Sequence, residues 1–222
     1  MRAAGAVPEI VGWGPDPQGL QRARELGVID RAAGDLPQAM NGADVVVLAA
    51  PVPAMAGLLA QMGPLLEDGM VVTDVGSVKG PVMTLARTGL GARFRQFVGG
   101  HPIAGDERSG VEVSRGDLFR DHAVILTPAP ETDPAAVAAV RRLWESAGAR
   151  VAEMDVERHD RVLAATSHLP HVLAYTLVDS IAGGPEGEAV LRYAAGGFRD
   201  FTRIASSDPG MWRDICLANR AR

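Results

Sequence analysis

The sequence is poor in cysteine, with Cys216 the only one among 222 residues. A single thiol excludes an internal disulfide and a cysteine-based metal site, and it favours a reducing, cytoplasmic setting. The net charge of −5, with no basic block, predicts that nucleic acid is not a partner. No apolar run approaches the ~20 residues of a transmembrane helix, and the N-terminus lacks the apolar region of a signal peptide, so no membrane partner is expected.

Short apolar runs alternate with helical patterns over residues 1–154. Runs that are apolar throughout are typical of strands buried on both faces of a parallel sheet, and their alternation with helices indicates βαβ units. This part is predicted to be a Rossmann-like α/β domain with a parallel sheet. The predicted strands are residues 9–13, 44–50, 70–74, 97–98, 123–126 and 150–153, and the predicted helices are 18–26, 52–62, 78–86 and 134–147.

A histidine follows one of the predicted strands, in the segment Gly99-Gly100-His101-Pro102. The two glycines predict a sharp turn after Val98, and Pro102 predicts a stiff loop. A titratable side chain at the carboxyl end of a parallel strand lies where open α/β sheets bind ligands. His101 is therefore a candidate catalytic residue, and the alternative is a structural histidine in a tight loop.

A second cluster, Asp74 to Lys79, directly follows a predicted buried strand. Ser77 is expected to cap the next helix and to direct its hydroxyl toward the same cleft as His101. A plain N-cap role is the alternative interpretation.

Residues 155–222 carry apolar residues at helical spacing and are predicted to form an all-helical domain. His168 and His171 are three residues apart and so share a helix face. A metal site is not predicted there, because no further ligand motif accompanies them; a pair lining a substrate cleft is favoured. Further on, Arg203 either pairs with Asp200 or holds a substrate carboxylate in its planar fork.

Taken in order, these clusters resemble the prephenate dehydrogenase family, which includes arogenate and cyclohexadienyl dehydrogenases. The resemblance covers nearly the whole chain. It is carried by residues 49–52, 74–79, 100–105, 167–171, 197–203 and 208–212.

The resemblance implies oxidative decarboxylation of prephenate to 4-hydroxyphenylpyruvate, or of arogenate to tyrosine, with NAD or NADP. It implies that His101 accepts a hydrogen bond from the ring hydroxyl, that Ser77 orients this contact and that Arg203 binds a carboxylate. The other residues that it assigns to substrate are His171, His168, Asp200, Gly105 and Asp106, although Asp106 stands where relatives often carry Thr or Ser. Those that it assigns to the cofactor are Gly14, Ala50, Pro51, Val52, Asp74 and Gly76.

Two departures from the family pattern concern the ends of the sequence. A glycine-rich phosphate loop is absent, and the chain stops at Arg222 inside a helical pattern. Both domains, 1–154 and 155–222, are therefore expected to be incomplete, the second one serving substrate binding and dimerisation in a full-length homodimer. Gly14 occupies the place where NAD-using relatives often carry an acidic residue, which leaves NAD and NADP both open.

Two alternative functions stay open from the sequence. One is a Rossmann dehydrogenase of the 3-hydroxyacid type, disfavoured because no lysine follows Lys79 to serve as its catalytic group. The other is a non-catalytic remnant that binds an aromatic metabolite or a partner chain. Substrate preference between prephenate and arogenate, and inhibition by tyrosine, are likewise open.

Overall fold

The predicted strands appear in a computed structural model that describes residues 5–105 and 110–222. The chain divides into two compact units, Met1–His159 and Asp160–Arg222. The strands all belong to the first unit. They are β1 (Val11–Gly12), β2 (Arg31–Ala32), β3 (Val45–Leu48), β4 (Val71–Asp74), β5 (Phe97–Pro102), β6 (Ala123–Thr127) and β7 (Arg150–Glu153).

The strands form two sheets rather than one. Strands β1 and β2 pair in parallel by themselves, and the other five lie in the order β3-β4-β5-β6-β7. All neighbours in the larger sheet are parallel except β5 and β6, which are antiparallel. The expected Rossmann-like α/β architecture is thus confirmed with a mainly parallel sheet, and the β5–β6 pair departs from the predicted parallel arrangement.

The helices of the first unit are α1 (Pro17–Glu25), α2 (Leu36–Met40), α3 (Val52–Met62), α4 (Gly80–Leu90) and α5 (Pro134–Ser146). Helix α6 (Val156–Leu163) begins in the first unit and ends in the second. Alternate strand residues face different helices, as the period of a strand requires. Val72 and Phe97 belong to the core that contains α3 and α4, whereas Val71 and Val98 belong to the core around Trp144 of α5. The larger sheet is therefore covered by helices on both faces.

Strand β5 runs straight through the two glycines that were expected to form a turn. Gly99 and Gly100 pair with Thr127 and Leu126 of β6, and His101 pairs with Ile125. Neither glycine has a positive φ. A Cβ on Gly99 would lie 2.5 Å from the Thr127 hydroxyl, and one on Gly100 would lie 2.8 Å from the Asp74 carbonyl. Glycine is needed there for close packing, so the prediction of His101 in a loop after a turn is wrong.

The substitution Gly100→Ala is expected to destabilise the fold, because the contact partner is backbone that cannot rotate away. We expect a loss of about 1–3 kcal/mol, the usual cost of overpacking a core. Gly57→Ala in α3 is the matched control: open space surrounds Gly57, so a gain of up to about 1 kcal/mol is expected from helix propensity. Urea unfolding of both variants measures the difference, and equal stabilities would contradict the packing argument.

The second unit is helical, as expected. A turn of π-helix, Ala164–His168, leads into α7 (Leu169–Ala182), followed by α8 (Gly187–Arg192), α9 (Gly196–Thr202) and α10 (Pro209–Ala218). Helix α10 begins at an Asp-Pro pair, and the Asp208 carboxylate accepts the Met211 N–H at 2.6 Å. Within the two described ranges, no helix is long and apolar enough to cross a membrane.

Candidate active site

His101 lies near the carboxyl end of β5 with its side chain almost enclosed, at 8% exposure. Its Nδ1 atom is 2.9 Å from Nε2 of His159, a hydrogen-bonding distance, and the two rings meet edge to face. His159 belongs to α6 and is fully buried. The sequence analysis missed His159, since no motif surrounds it and 58 residues separate it from His101.

A buried ion pair fixes the backbone just before His101. The Lys79 ammonium and the Asp74 carboxylate form this pair, and both side chains are fully enclosed. Lys79 Nζ also donates to the Gly100 carbonyl at 2.6 Å, and Asp74 Oδ1 accepts the Gly100 N–H at 3.0 Å. Both polar backbone groups of Gly100 are thus held by charged side chains, which makes these hydrogen bonds stronger than neutral ones.

The same carboxylate anchors the loop that carries Ser77. Asp74 Oδ2 accepts the N–H of Gly76 at 2.8 Å. Ser77 is half-buried in this loop, and α4 begins only at Gly80. The N-cap residue is Lys79, with no side-chain capping bond, so the prediction that Ser77 caps the helix is wrong. The structure thereby connects the segments of two predicted catalytic residues, Ser77 and His101, through Asp74.

The predicted cofactor residues lie mainly in two connections that follow strands. Gly14 lies between β1 and α1, while Ala50 and Pro51 lie between β3 and α3, whose first residue is Val52. No side chain caps the start of α3. Pro53 has no N–H and the Ala54 N–H donates to the Pro51 carbonyl, so the Val52 N–H is the group of this helix start that suits an oxygen of a nucleotide.

The resemblance assigns Asp74 to the cofactor, but the structure places its carboxylate inside the protein. Its side chain is enclosed, and its two oxygens are engaged by Lys79, Gly76 and Gly100. The carboxylate can therefore support the loop through Gly76, and direct contact of its oxygens with a bound cofactor is no longer expected.

In the second unit, the two predicted histidines contact the same indole. The His171 ring stacks on Trp212 with centroids 3.3 Å apart, and His168 approaches Trp212 edge-on at 6.3 Å. They therefore share a helix face, as their spacing predicts. His168 is buried, and its Nδ1 is 3.2 Å from the amide nitrogen of Asn219 in the segment after α10.

The remaining predicted substrate residues are spread over both units. Asp200 on α9 and Arg203, the first residue of a short 3₁₀ turn, are both exposed. An ion pair between them stays a prediction. Gly105 is exposed in the segment after β5, and Asp106 lies outside the described residues.

Partial burial lowers the pKa of the His171 imidazole, while its hydrogen bond to the Ser167 carbonyl opposes that shift. The unfolded chain therefore takes up the proton first as the pH falls, so this histidine makes the fold less stable on the acid side of its ordinary pKa. When the pH is lowered from about 7.5 to 5.5, we expect the melting temperature of His171→Gln to fall less than that of the parent protein. Melting curves at the two pH values test this, and an equal loss in both proteins would contradict it.

Comparison with known proteins assigns a family to both parts of the chain. Residues 1–153 match the family model described as prephenate dehydrogenase, nucleotide-binding domain, and residues 155–222 match prephenate dehydrogenase, dimerization domain. A cyclohexadienyl dehydrogenase of Zymomonas mobilis is 42% identical over 200 residues, which cover 89% of this chain and 68% of the relative. A prephenate dehydrogenase of Bacillus subtilis is also 42% identical over 200 residues, covering 89% of this chain but 54% of the relative.

A solved structure gives the same result. The prephenate dehydrogenase of A. aeolicus in complex with hydroxyphenyl propionate and NAD⁺ has a TM-score of 0.90 and 41% identity, covering 99% of this chain and 77% of that one. These comparisons confirm the family and the nucleotide-binding class of the first domain. The chain spans only about half the length of the Bacillus relative.

Proposed function

This chain belongs to the prephenate dehydrogenase family, and we propose on that basis that the protein oxidises prephenate with NAD, releasing carbon dioxide and 4-hydroxyphenylpyruvate. The observation that carries the proposal is the placement of His101. It lies on a buried strand, with one ring nitrogen hydrogen-bonded to a second histidine and the backbone of the preceding residue, Gly100, held by a buried ion pair. Such support is what a catalytic side chain needs to keep one orientation.

In the proposed reaction, His101 accepts the hydrogen bond of the ring hydroxyl of the substrate. As the proton shifts toward the imidazole, carbonyl character grows at the ring carbon that loses its hydride. A bound nicotinamide supplies the hydride acceptor. The bond between the ring and its carboxylate then breaks, its electron pair completes the aromatic ring, and the proton returns to the oxygen to give the phenol.

The other proposed roles follow from the family resemblance and the positions described above. Ser77 orients the hydroxyl contact, and its loop is fixed by the bond between Gly76 and Asp74. Arg203 binds a carboxylate, while His171, His168, Asp200, Gly105 and Asp106 are proposed substrate contacts. On the cofactor side, Gly14, Ala50, Pro51 and Val52 are proposed to hold the dinucleotide, with Asp74 and Gly76 shaping the neighbouring loop.

A role for Lys79 as the catalytic group of a 3-hydroxyacid-type dehydrogenase is disfavoured. Its ammonium group is fully enclosed and engaged with Asp74 and the Gly100 carbonyl. A general acid or base must reach the proton that it transfers. Lys79 therefore serves the fold of the site rather than the chemistry.

A homodimer is proposed through the second unit. Several of its large apolar side chains are exposed, including Leu169, Leu173, Phe201 and Leu217, and Tyr193 is 84% exposed. A second copy of the chain could bury these side chains at an interface. A cytoplasmic location is proposed from the single cysteine.

The proposed activity is tested with the whole protein, assayed with prephenate and with arogenate, each with NAD and with NADP. We expect reduction of NAD that depends on prephenate and is matched by carbon dioxide release. Turnover with arogenate or NADP instead would change the substrate or cofactor within the same reaction class. Cofactor or aromatic-acid binding without turnover in any of the four combinations would favour the non-catalytic remnant.

Replacement of Arg203 by alanine is expected to raise the KM for prephenate by about 10-fold or more, with a smaller change in kcat. A carboxylate anchor acts in the ground state and in the transition state alike, so its loss appears mainly in KM. Arg199→Ala is the matched control, since Arg199 is an exposed arginine on α9, four residues before Arg203. An equal KM effect in both variants would argue for general charge attraction instead of a specific anchor.

A further inference from the structure

His159 contacts His101, and neither the sequence motifs nor the family resemblance indicated this contact. Its Nε2 atom lies 2.9 Å from His101 Nδ1, and both side chains are buried. Two ring nitrogens at that distance must share one proton, because a hydrogen bond needs one donor and one acceptor.

The direction of this hydrogen bond decides what His101 can do. If His159 donates, a neutral His101 carries its own proton on Nε2, and neither ring nitrogen can accept from a substrate. If His101 donates from Nδ1, its Nε2 has a lone pair, and the imidazole can take the proton of a hydroxyl group. Only the second arrangement is compatible with a base at this position.

We propose that His159 is a positioning residue that accepts the Nδ1–H of His101 and so holds the catalytic imidazole in the tautomer with a basic Nε2. The proposal rests on the proposed function, since it concerns the residue assigned as its base. In a catalytic triad, a carboxylate accepts the Nδ1–H of the catalytic histidine. Here the neutral imidazole of His159 is the acceptor instead.

The surroundings of the pair support this role. The backbone of His101 is paired with Ile125, and both polar groups of Gly100 are held by Asp74 and Lys79. The remaining freedom of His101 is rotation of its side chain, and the contact with His159 restrains that rotation. When His101 takes up a proton, the Nδ1–H bond to His159 becomes charge-assisted and strengthens, which favours the protonated intermediate.

The first experiment compares three variants of the whole protein. Gln can place its amide near the position of His159 Nε2, Asn is too short to reach it, and Phe keeps a ring without a polar atom. We expect His159→Phe and His159→Asn to lower kcat by ~10²-fold with KM for prephenate within about threefold. His159→Gln should recover at least about tenfold of that loss, because its carbonyl again accepts the Nδ1–H.

The pH profile separates positioning from mere packing. Loss of the acceptor disfavours protonated His101, so the acidic limb of kcat against pH should move to lower pH in His159→Phe and stay in place in His159→Gln. Equal activity of all three variants, or equal losses in all three, would overturn the proposal. So would a change confined to KM.

The second experiment needs no variant at His159 and remains decisive if those variants fail to fold. Nitrogen-15 NMR of the parent protein, with the His101 signals assigned by their loss in His101→Gln, reports which ring nitrogen carries the proton. We expect protonation at Nδ1; protonation at Nε2 in neutral His101 would overturn the proposal. Absence of turnover in the parent would instead count against the proposed function, and the NMR result would stand independently of it.

Discussion

Replacing His101 by glutamine is expected to lower kcat for prephenate by about 10²–10⁴-fold, the usual contribution of a positioned general base. Glutamine keeps the approximate size of histidine and can still hydrogen-bond, but it cannot take a proton. The KM for prephenate and the affinity for NAD should change little, since the lost interaction grows only as the transition state forms. Steady-state kinetics and a cofactor titration by fluorescence measure the two effects separately.

His122→Gln is the matched control for this substitution. His122 is an exposed histidine in the same unit, one residue before β6. Its replacement should leave kcat and KM within about twofold, as most surface substitutions away from a site do. A near-normal kcat in His101→Gln would show that the base has been assigned to the wrong residue.

Replacing Lys79 by methionine is expected to cost about 3–5 kcal/mol of folding free energy, the effect of leaving one member of a buried ion pair behind. The Asp74 carboxylate would remain fully enclosed, with only the N–H groups of Gly76 and Gly100 to compensate its charge. The Gly100 carbonyl would also lose its donor. Urea unfolding followed by circular dichroism measures the loss.

Two further variants make this prediction specific. Arg93→Met removes the cation from an exposed pair with Asp68, so it should cost no more than about 1 kcal/mol. The double variant Lys79→Met with Asp74→Asn removes both buried charges and should be more stable than Lys79→Met alone. A double variant whose losses are simply additive would mean that the two buried charges do not stabilise each other.

Apolar runs were sufficient to predict the strands of the larger sheet. The runs at residues 44–50, 70–74 and 150–153 each contain one observed strand, the run at 123–126 lies within β6, and the run at 97–98 marks only the start of β5. Helix α5 also begins where its Asp-Pro pair predicts, with the Asp133 carboxylate accepting the Ala135 N–H. These features depend on neighbours within a few residues, so the sequence alone determines them.

The wrong predictions concern residues whose conformation is determined by contacts with residues far away in the sequence. Gly99 and Gly100 suggest a turn in isolation, yet their real constraint is the close approach of Thr127 and Asp74. Serine is a common N-cap residue, which is why Ser77 was expected to cap the helix. Helix α4 instead starts three residues later, after Lys79, whose side chain forms the buried ion pair. His159 carries no local signal at all, because its partner is 58 residues away.

The strand position of His101 also has a dynamic consequence. Residues on β5 are buried, and the ladder to β6 continues through His101 to Pro102. Backbone amides in such a ladder exchange with solvent only through large openings, whereas loop amides exchange through local fluctuations. The proposed base would therefore be in place before substrate arrives, and any slow motion that limits turnover would have to originate in other segments of the protein. Deuterium exchange should find the β5 amides among the slowest in the first unit, with or without bound ligands.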